Sequence, residues 1–178
     1  MKRLIVILCA ICFCVNAMAQ IQTKFWGLEL TGSYESLERA KTTIANRCTY
    51  AEVKDNVISA MHGSFGGYDW NFIDFSFYKG MYYKTLYFVS FQSYHKTQAS
   101  AQSKFDSLLN SLNDKYGKSL SEIQKNKSVH MWFDAPYSCM LTLEQGEARN
   151  GDILWYVILN YSDDDYLELS LEEKKDEL

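Results

Sequence analysis

The fold is decided by the stretch WNFIDFSFY at residues 70–78. Its apolar residues alternate, with Ile73, Phe75 and Phe77 on one side, and a period of two predicts a β-strand. A Lys-Gly pair follows, which is typical of a turn, and leads into a second apolar run, YYKTLYFVSF, at residues 82–91. The two runs therefore predict an antiparallel hairpin.

The rest of the chain shows either a strand pattern or a helical one. Further strands are predicted at residues 25–30, 56–65, 129–134, 138–144 and 153–161. A first helix, capped by Ser33 and ending near Arg47, is predicted from apolar residues at helical spacing: Leu37, Ala40, Ile44 and Cys48. A second helix, ending at Gly117, is predicted from a stronger stripe: Ala101, Phe105, Leu108, Leu109, Leu112 and Tyr116.

These elements predict an α+β fold in one domain, residues 20–162. We expect an antiparallel sheet of about six to seven strands with two helices packed on one face. The order helix, strand, strand, turn, strand occurs at about residues 25–92 and again at about residues 97–162. This pattern predicts a tandem α-β-β-β repeat.

The N-terminus has the three parts of a secretory signal peptide. Lys2 and Arg3 are followed by an uncharged apolar run at residues 4–15 and by Ala-Met-Ala at residues 17–19. The apolar run is shorter than the ~20 residues that a membrane-spanning helix needs. We therefore predict a signal peptide at residues 1–19, export to the periplasm or the extracellular space, and no transmembrane segment after cleavage.

Cleavage would make the remaining chain more acidic. Removing Lys2 and Arg3 reduces the 18 basic residues to 16 against 22 acidic residues, which gives a formal net charge of −6. Nucleic acids and anionic membranes favour clustered Lys and Arg. We therefore expect no nucleic-acid partner.

The C-terminal residues 163–178 are interpreted as a solvated acidic tail. The last four, Lys175 to Leu178, match the retrieval signal of the eukaryotic endoplasmic reticulum. If the chain is eukaryotic, this signal would place it in that lumen. The alternative is a charged tail that ends in Leu by coincidence.

Two cysteines, Cys48 and Cys139, remain after signal cleavage. They form either one disulfide, which an oxidising compartment permits, or two separate buried thiols.

The opening of the mature chain resembles that of a known group of proteins. Residues 25–33 read FWGLELTGS, similar to the Phe-x-Gly-Ile-x-hydrophobic-x-Gly-Ser/Thr motif of a family of small secreted bacterial proteins of uncharacterised function. Trp26 and Leu28 depart from the usual choices in that motif. The arrangement is also similar to the tandem helix-plus-sheet repeats of β-lactamase-inhibitor-protein and SmpA/OmlA-type folds. This resemblance implies an architecture and no activity.

Catalytic and metal-binding motifs are missing from the sequence, and we expect no enzyme activity, cofactor or metal. One alternative is a hydrolase in which Asp134 orients His130 and Cys139 is the nucleophile. Strand alternation groups Cys139 with Leu141 and Leu143, and burial would make its thiol inert.

The predicted strands carry more aromatic residues than one buried face requires. The surplus would lie on a second, exposed face of the sheet, as a binding surface that includes Trp70, Phe72, Tyr87, Trp132 and Trp155. Our first hypothesis is a non-enzymatic protein that binds another protein through this face. The alternative is an extracellular glycan-binding module that uses the same aromatic residues.

Overall fold

A computed structural model describes residues 19–148 and 150–176 of the chain. The predicted signal peptide, up to residue 18, lies outside the described residues, as do the last two residues of the C-terminal tetrapeptide. Among the residues that are described, no helix is both long enough and apolar enough to cross a lipid bilayer.

The structure contains eleven strands and three helices in its described part. The strands are β1 Lys24–Phe25, β2 Leu28–Glu29, β3 Ser33–Tyr34, β4 Tyr50–Lys54, β5 Val57–Phe65, β6 Tyr68–Lys79, β7 Lys84–His95, β8 Leu120–Gln124, β9 Lys127–Asp134, β10 Tyr137–Glu147 and β11 Ile153–Asp163. The helices are α1 Leu37–Ile44, α2 Gln98–Tyr116 and α3 Asp164–Asp176, and a 3₁₀ turn, Ala45–Arg47, continues α1.

One nine-stranded antiparallel sheet organises the molecule. The strand order is β4-β5-β6-β7-β11-β10-β9-β8, and β3 pairs with the start of β7. Each half is a four-stranded meander preceded by a helix, and the halves join where β7 pairs with β11. The α+β class is therefore confirmed, but the sheet is larger than the six to seven strands expected, and a third helix is added. The internal repeat stays a prediction.

The second predicted helix is confirmed as α2. Thr97 caps it by accepting a hydrogen bond from the Ser100 amide at 3.3 Å, and Gly117, at φ +82°, ends it. The buried residues are those of the predicted stripe except Leu109, namely Ala101, Phe105, Leu108, Leu112 and Tyr116.

The first helix is shorter than predicted. It begins after Ser36, because Ser33 and Tyr34 pair with β7 as strand β3. The residues that α1 buries are Leu37, Ala40 and Ile44.

A single hydrophobic core lies between the sheet and these helices. Phe25, which is fully buried, is its centre: its ring centroid lies 5.4 Å from that of Phe65, 5.9 Å from Phe91 and 4.9 Å from Tyr161. Residues 25–30, predicted as one strand, form the short hairpin of β1 and β2 that carries this ring into the core.

The residues interpreted as an acidic tail form helix α3 instead. Asp163 caps it, because its Oδ1 accepts a hydrogen bond from the Tyr166 amide at 3.0 Å. The Tyr166 ring then packs against Tyr78, at 5.6 Å between centroids. Helix α3 therefore covers one end of the sheet face that α1 and α2 leave uncovered.

Candidate functional site

The sheet face opposite α1 and α2, which we call the open face, carries a row of mostly apolar side chains across its strands. The register places Phe72 beside Gln92, Gln92 beside Ile158, and Ile158 beside Thr142. On the other side of Phe72, the row continues to Met61. Three apolar side chains, Met61, Phe72 and Ile158, therefore lie in this row on either side of Gln92, without a helix above them.

Aromatic side chains on the open face are exposed to solvent. Phe72 and Tyr94 are each 41% exposed, and their ring centroids lie 6.2 Å apart. Tyr156 lies beside Tyr94 in the register of β7 with β11. Phe133, near the other edge, is 57% exposed. Exposed aromatic groups of this kind mark binding surfaces more often than isolated surface residues do.

A polar groove of about 530 Å³ crosses the middle of the open face. In the register, Asp74 lies between Ser59 and Ser90, and Ser90 lies beside Asn160. Gln92 uses its amide nitrogen to donate a hydrogen bond to the Ser90 hydroxyl at 3.2 Å. The groove lining therefore combines two carboxylates, of Asp55 and Asp74, and the ammonium group of Lys54 with hydroxyl and amide groups.

One polar atom in this groove lacks a partner. The Asn160 Oδ1 atom is buried and accepts no hydrogen bond from any residue that the structure describes. A buried acceptor without a partner costs free energy, and such atoms often bind an ordered water or a ligand. Asp74 offers acceptors to a ligand in this groove, whereas Asn160 Oδ1 lies below the surface.

The predicted position of Trp70 on this face is wrong. Trp70 is 2% exposed, its Nε1 donates to the Phe65 carbonyl at 3.2 Å, and its ring lies 5.5 Å from Phe91 in the core. The ladder between β5 and β6 is interrupted at His62, whose φ is +51°. This irregularity changes the alternation, so that Trp70 and Ile73 face the same side although they are three residues apart.

Trp132 is also buried, which contradicts the predicted exposure. It is 4% exposed, donates from Nε1 to the Gly117 carbonyl at 2.8 Å, and packs against Tyr116 of α2. In β9 the more apolar alternation, with Val129, Met131 and Phe133, faces away from the helix, and the structure turns His130 and Trp132 toward it.

The other three predicted binding residues differ in position. Phe72 lies on the open face, as expected. Trp155 packs on the edge of the core, because it lies beside His95 on the helix side. Tyr87 is half-buried at the bulge where the register of β6 and β7 shifts.

The proposed hydrolase residues do not form a catalytic arrangement. His130 Nδ1 shares a hydrogen bond with the Ser119 hydroxyl at 2.8 Å, and its ring packs against Phe105. Burial raises the pKa of the Cys139 thiol to about 12, so it is protonated at neutral pH. Asp134 lies exposed at the turn between β9 and β10.

The two cysteines are separate free thiols. Cys139 is fully buried beneath α2, whereas Cys48 is half-buried and donates to the Ile44 carbonyl at 3.6 Å. The alternative of two thiols is therefore the one that the structure contains.

The sequence reasoning missed Tyr94, Tyr156 and Asn160. The predicted strand stopped at Phe91, whereas β7 continues to His95, and the extended alternation of Ser90, Gln92 and Tyr94 would have placed Tyr94 outward. Tyr156 and Asn160 lie within the predicted strand 153–161, on the same alternation as Ile158. In the described part of the chain, no group of three or more His, Cys, Asp or Glu side chains could hold a metal ion.

Comparisons of the chain with protein-family models, with curated proteins and with solved structures found no match.

Proposed function

We propose that this chain is an exported, non-enzymatic binding protein whose open face binds another protein. The observation that carries the proposal is the exposure of Phe72 and Tyr94 beside an uncovered apolar row. Burying aromatic surface contributes about 25 cal/mol per Å², and aromatic residues dominate the centres of protein interfaces. The export part of the proposal rests on residues 1–19.

The chemistry of the groove indicates which partner would fit. A protein segment would place apolar side chains over the Phe72 row and a Lys or Arg side chain over Asp74. Such a charge-assisted contact with Asp74 would be stronger than a hydrogen bond between neutral groups. The acidic character of the chain also favours a basic partner surface.

A glycan is the second candidate, because the groove is polar and aromatic side chains flank it. Ser59, Asp74 and Gln92 provide acceptors and donors for sugar hydroxyls. Phe72, which lies beside Gln92 in the register, provides an exposed aromatic ring on which the apolar face of a sugar could stack.

Photo-crosslinking in the native envelope tests the first proposal. A benzophenone amino acid replaces Phe72 in one variant and Tyr82 in a matched control, since Tyr82 is 80% exposed but lies in the β6–β7 turn. We expect a protein adduct of defined mass from position 72 and none from position 82. Adding Asp74→Asn to the first variant lowers the adduct yield if a cationic group contacts Asp74.

The same variants separate the two candidates. Equal crosslinking from positions 72 and 82, or none from either, would reject the protein-binding proposal. Binding of the purified protein to a glycan array, lost in Phe72→Ala and retained in Tyr82→Ala, would establish the glycan candidate instead.

A further inference from the structure

A second concave region lies on the other side of the sheet, where β5, β6 and β7 meet helix α2. It encloses about 400 Å³, within the usual range of about 300–1,000 Å³ for small-molecule sites. We call it the Lys104 pocket; its lining is His62, Gly63, Ser64, Asp69, Trp70, Asn71, Ser93, His95 and Lys104.

The ammonium group of Lys104 enters this pocket without a carboxylate partner. Its Nζ donates to the backbone carbonyl of Asp69 and lies 4.0 Å from the ring centroid of Trp70. None of the ion pairs in the described part of the chain includes Lys104. Partial burial lowers the pKa of Lys104 to about 8, against a smaller opposing effect of Asp69. An anion at this ammonium would offset that burial.

Neutral donors surround the ammonium. Asn71 uses its Oδ1 to accept from the Tyr94 amide at 3.1 Å, which leaves its NH₂ group available to donate into the pocket. His95 is held through both ring nitrogens, at 3.2 Å from the Ser93 hydroxyl and 2.9 Å from the Ser100 hydroxyl. Ser93 is 3% exposed, so its hydroxyl is part of the pocket wall and not of the open surface.

The backbone of β5 is bent to form this pocket. His62 has a φ of +51°, a left-handed conformation that is uncommon for a residue with a side chain. The bend brings Gly63 against Trp26, whose Nε1 donates to the Ser64 carbonyl at 3.1 Å. Unfavourable backbone conformations concentrate at binding and catalytic sites.

The pocket contains one carboxylate, that of Asp69, and its negative charge limits how much negative charge a ligand can carry. Asp69 accepts a hydrogen bond from the Ser64 hydroxyl and lies at the rim. The positive charge of Lys104 and the negative charge of Asp69 cancel within the pocket lining. A monoanion is therefore accommodated better than a divalent phosphate, which Asp69 would repel.

We propose that the Lys104 pocket binds the carboxylate of a small organic acid, with the Lys104 ammonium as its ionic partner and Asn71 and Ser93 as neutral donors. This site is independent of the open face, since it lies on the opposite side of the sheet.

Titration of the purified protein by ¹H–¹⁵N NMR tests the proposal at constant ionic strength. The probes are sodium D-glucuronate, its neutral counterpart D-glucose, and inorganic phosphate. We expect saturable shifts for D-glucuronate at Asn71, Ser93 and Lys104 and a weaker response to the other two probes. Lys104→Gln should reduce the affinity for D-glucuronate by about tenfold or more, a loss of about 1.4 kcal/mol per tenfold change. Lys96→Gln, which removes the same charge from an exposed position, should not.

Two further measurements distinguish a loss of binding from a folding defect in Lys104→Gln. Asn71→Asp retains the acceptor for the Tyr94 amide but replaces the NH₂ donor with a negative charge, and it should abolish binding. The pH dependence should follow Lys104: D-glucuronate binds about tenfold more weakly at pH 9 than at pH 7, because the ammonium with a pKa of about 8 loses its proton.

The other charged groups facing Lys104 define the rest of the pH profile. They are His62 from β5, Asp69 from β6 and His95 from β7. Burial, and to a lesser extent the nearby charge of Lys104, lowers the pKa of His95, so His95 gains its positive charge only below its usual titration range. Equal affinity for D-glucuronate and D-glucose, tighter binding of phosphate, or unchanged binding in both Lys104→Gln and Asn71→Asp would overturn the proposal.

Discussion

Replacing Asn160 with Leu should stabilise the free protein. The Oδ1 atom of Asn160 is buried without a hydrogen-bond partner among the described residues, on a face that also holds Ile158 and Met140. An unsatisfied buried polar group costs about 1–3 kcal/mol, and Leu has nearly the same shape without that group. We therefore expect the free energy of unfolding of Asn160→Leu to rise by about 1–3 kcal/mol, the amount that the orphan acceptor costs.

Urea unfolding followed by tryptophan fluorescence measures this change, because Trp70 and Trp132 are buried and report on the core. For a domain of this size, each kcal/mol corresponds to about 2–4 °C in Tm. Gln92→Leu is the matched control, since Gln92 lies on the same face but has a hydrogen bond with Ser90. That variant gains apolar surface and loses a hydrogen bond, so its stability should change little.

The comparison can refute the reasoning. If Asn160→Leu lowers the stability, or raises it no more than Gln92→Leu does, then Asn160 Oδ1 is already satisfied in the free protein by water. If the stability rises and crosslinking at position 72 falls, the unsatisfied acceptor serves binding at a cost in stability.

Three other substitutions or reactions test single contacts. Gly63→Ala should lower the free energy of unfolding by about 1–3 kcal/mol, because its Cβ would overlap the Trp26 ring and lie 2.9 Å from a backbone oxygen. An unchanged Tm in thermal unfolding would contradict the close contact between Gly63 and Trp26. Cys139 should react with a thiol reagent only after denaturation, since its buried thiol has a pKa of about 12, and rapid labelling of the native protein would contradict this. Burial raises the pKa of the Asp163 carboxyl above its usual value, so its ionisation opposes folding as the pH rises. Asp163→Asn, which can still cap α3 at Tyr166, should therefore be more stable than the wild type at pH 7 but not at pH 3. An equal gain in stability at both pH values would disprove this cause.

Helix α2 and the central strands could be predicted from the sequence because their patterns are strong. The stripe from Ala101 to Tyr116 keeps helical spacing for several turns and ends at a glycine. The alternation from Ile73 to Phe77 gives one face of β6 unambiguously. In both cases the buried residues are apolar and regularly spaced, which local sequence is sufficient to show.

The edge strands and the last helix could not be predicted in the same way. Strand β8 is exposed along its whole length, and β4 is exposed at every second residue, so neither has a face that a hydrophobic pattern would identify. Helix α3 is rich in acidic residues, and its contacts with the sheet come from the cap at Asp163 and the ring of Tyr166. Tertiary contacts decide these elements more than intrinsic propensity does.

The orientation of aromatic residues was the main error at the candidate site. In β9 the more apolar alternation, with Met131 and Phe133, faces solvent, and Trp132 is buried from the alternation that also carries His130, so the local pattern does not indicate the side that faces the core. For Trp70, the orientation depends on the bend at His62, which is held by the contact between Trp26 and Gly63. Those residues are distant in sequence, and no local pattern records their contact.

The junction between β7 and β11 controls how the chain can assemble. Strand β7 has a partner on one side as soon as β6 is made. Strand β3 covers only the start of its other edge, which stays open from Phe88 to His95 until β11, the last of the described strands, is complete. Both edges of this junction belong to long, largely buried strands, and such open edges promote aggregation. A nascent chain that has reached only Ile153 therefore lacks β11, the strand that pairs with both meanders. Because the chain is synthesised from its N-terminus, the N-terminal meander keeps an edge that can aggregate until β11 is synthesised.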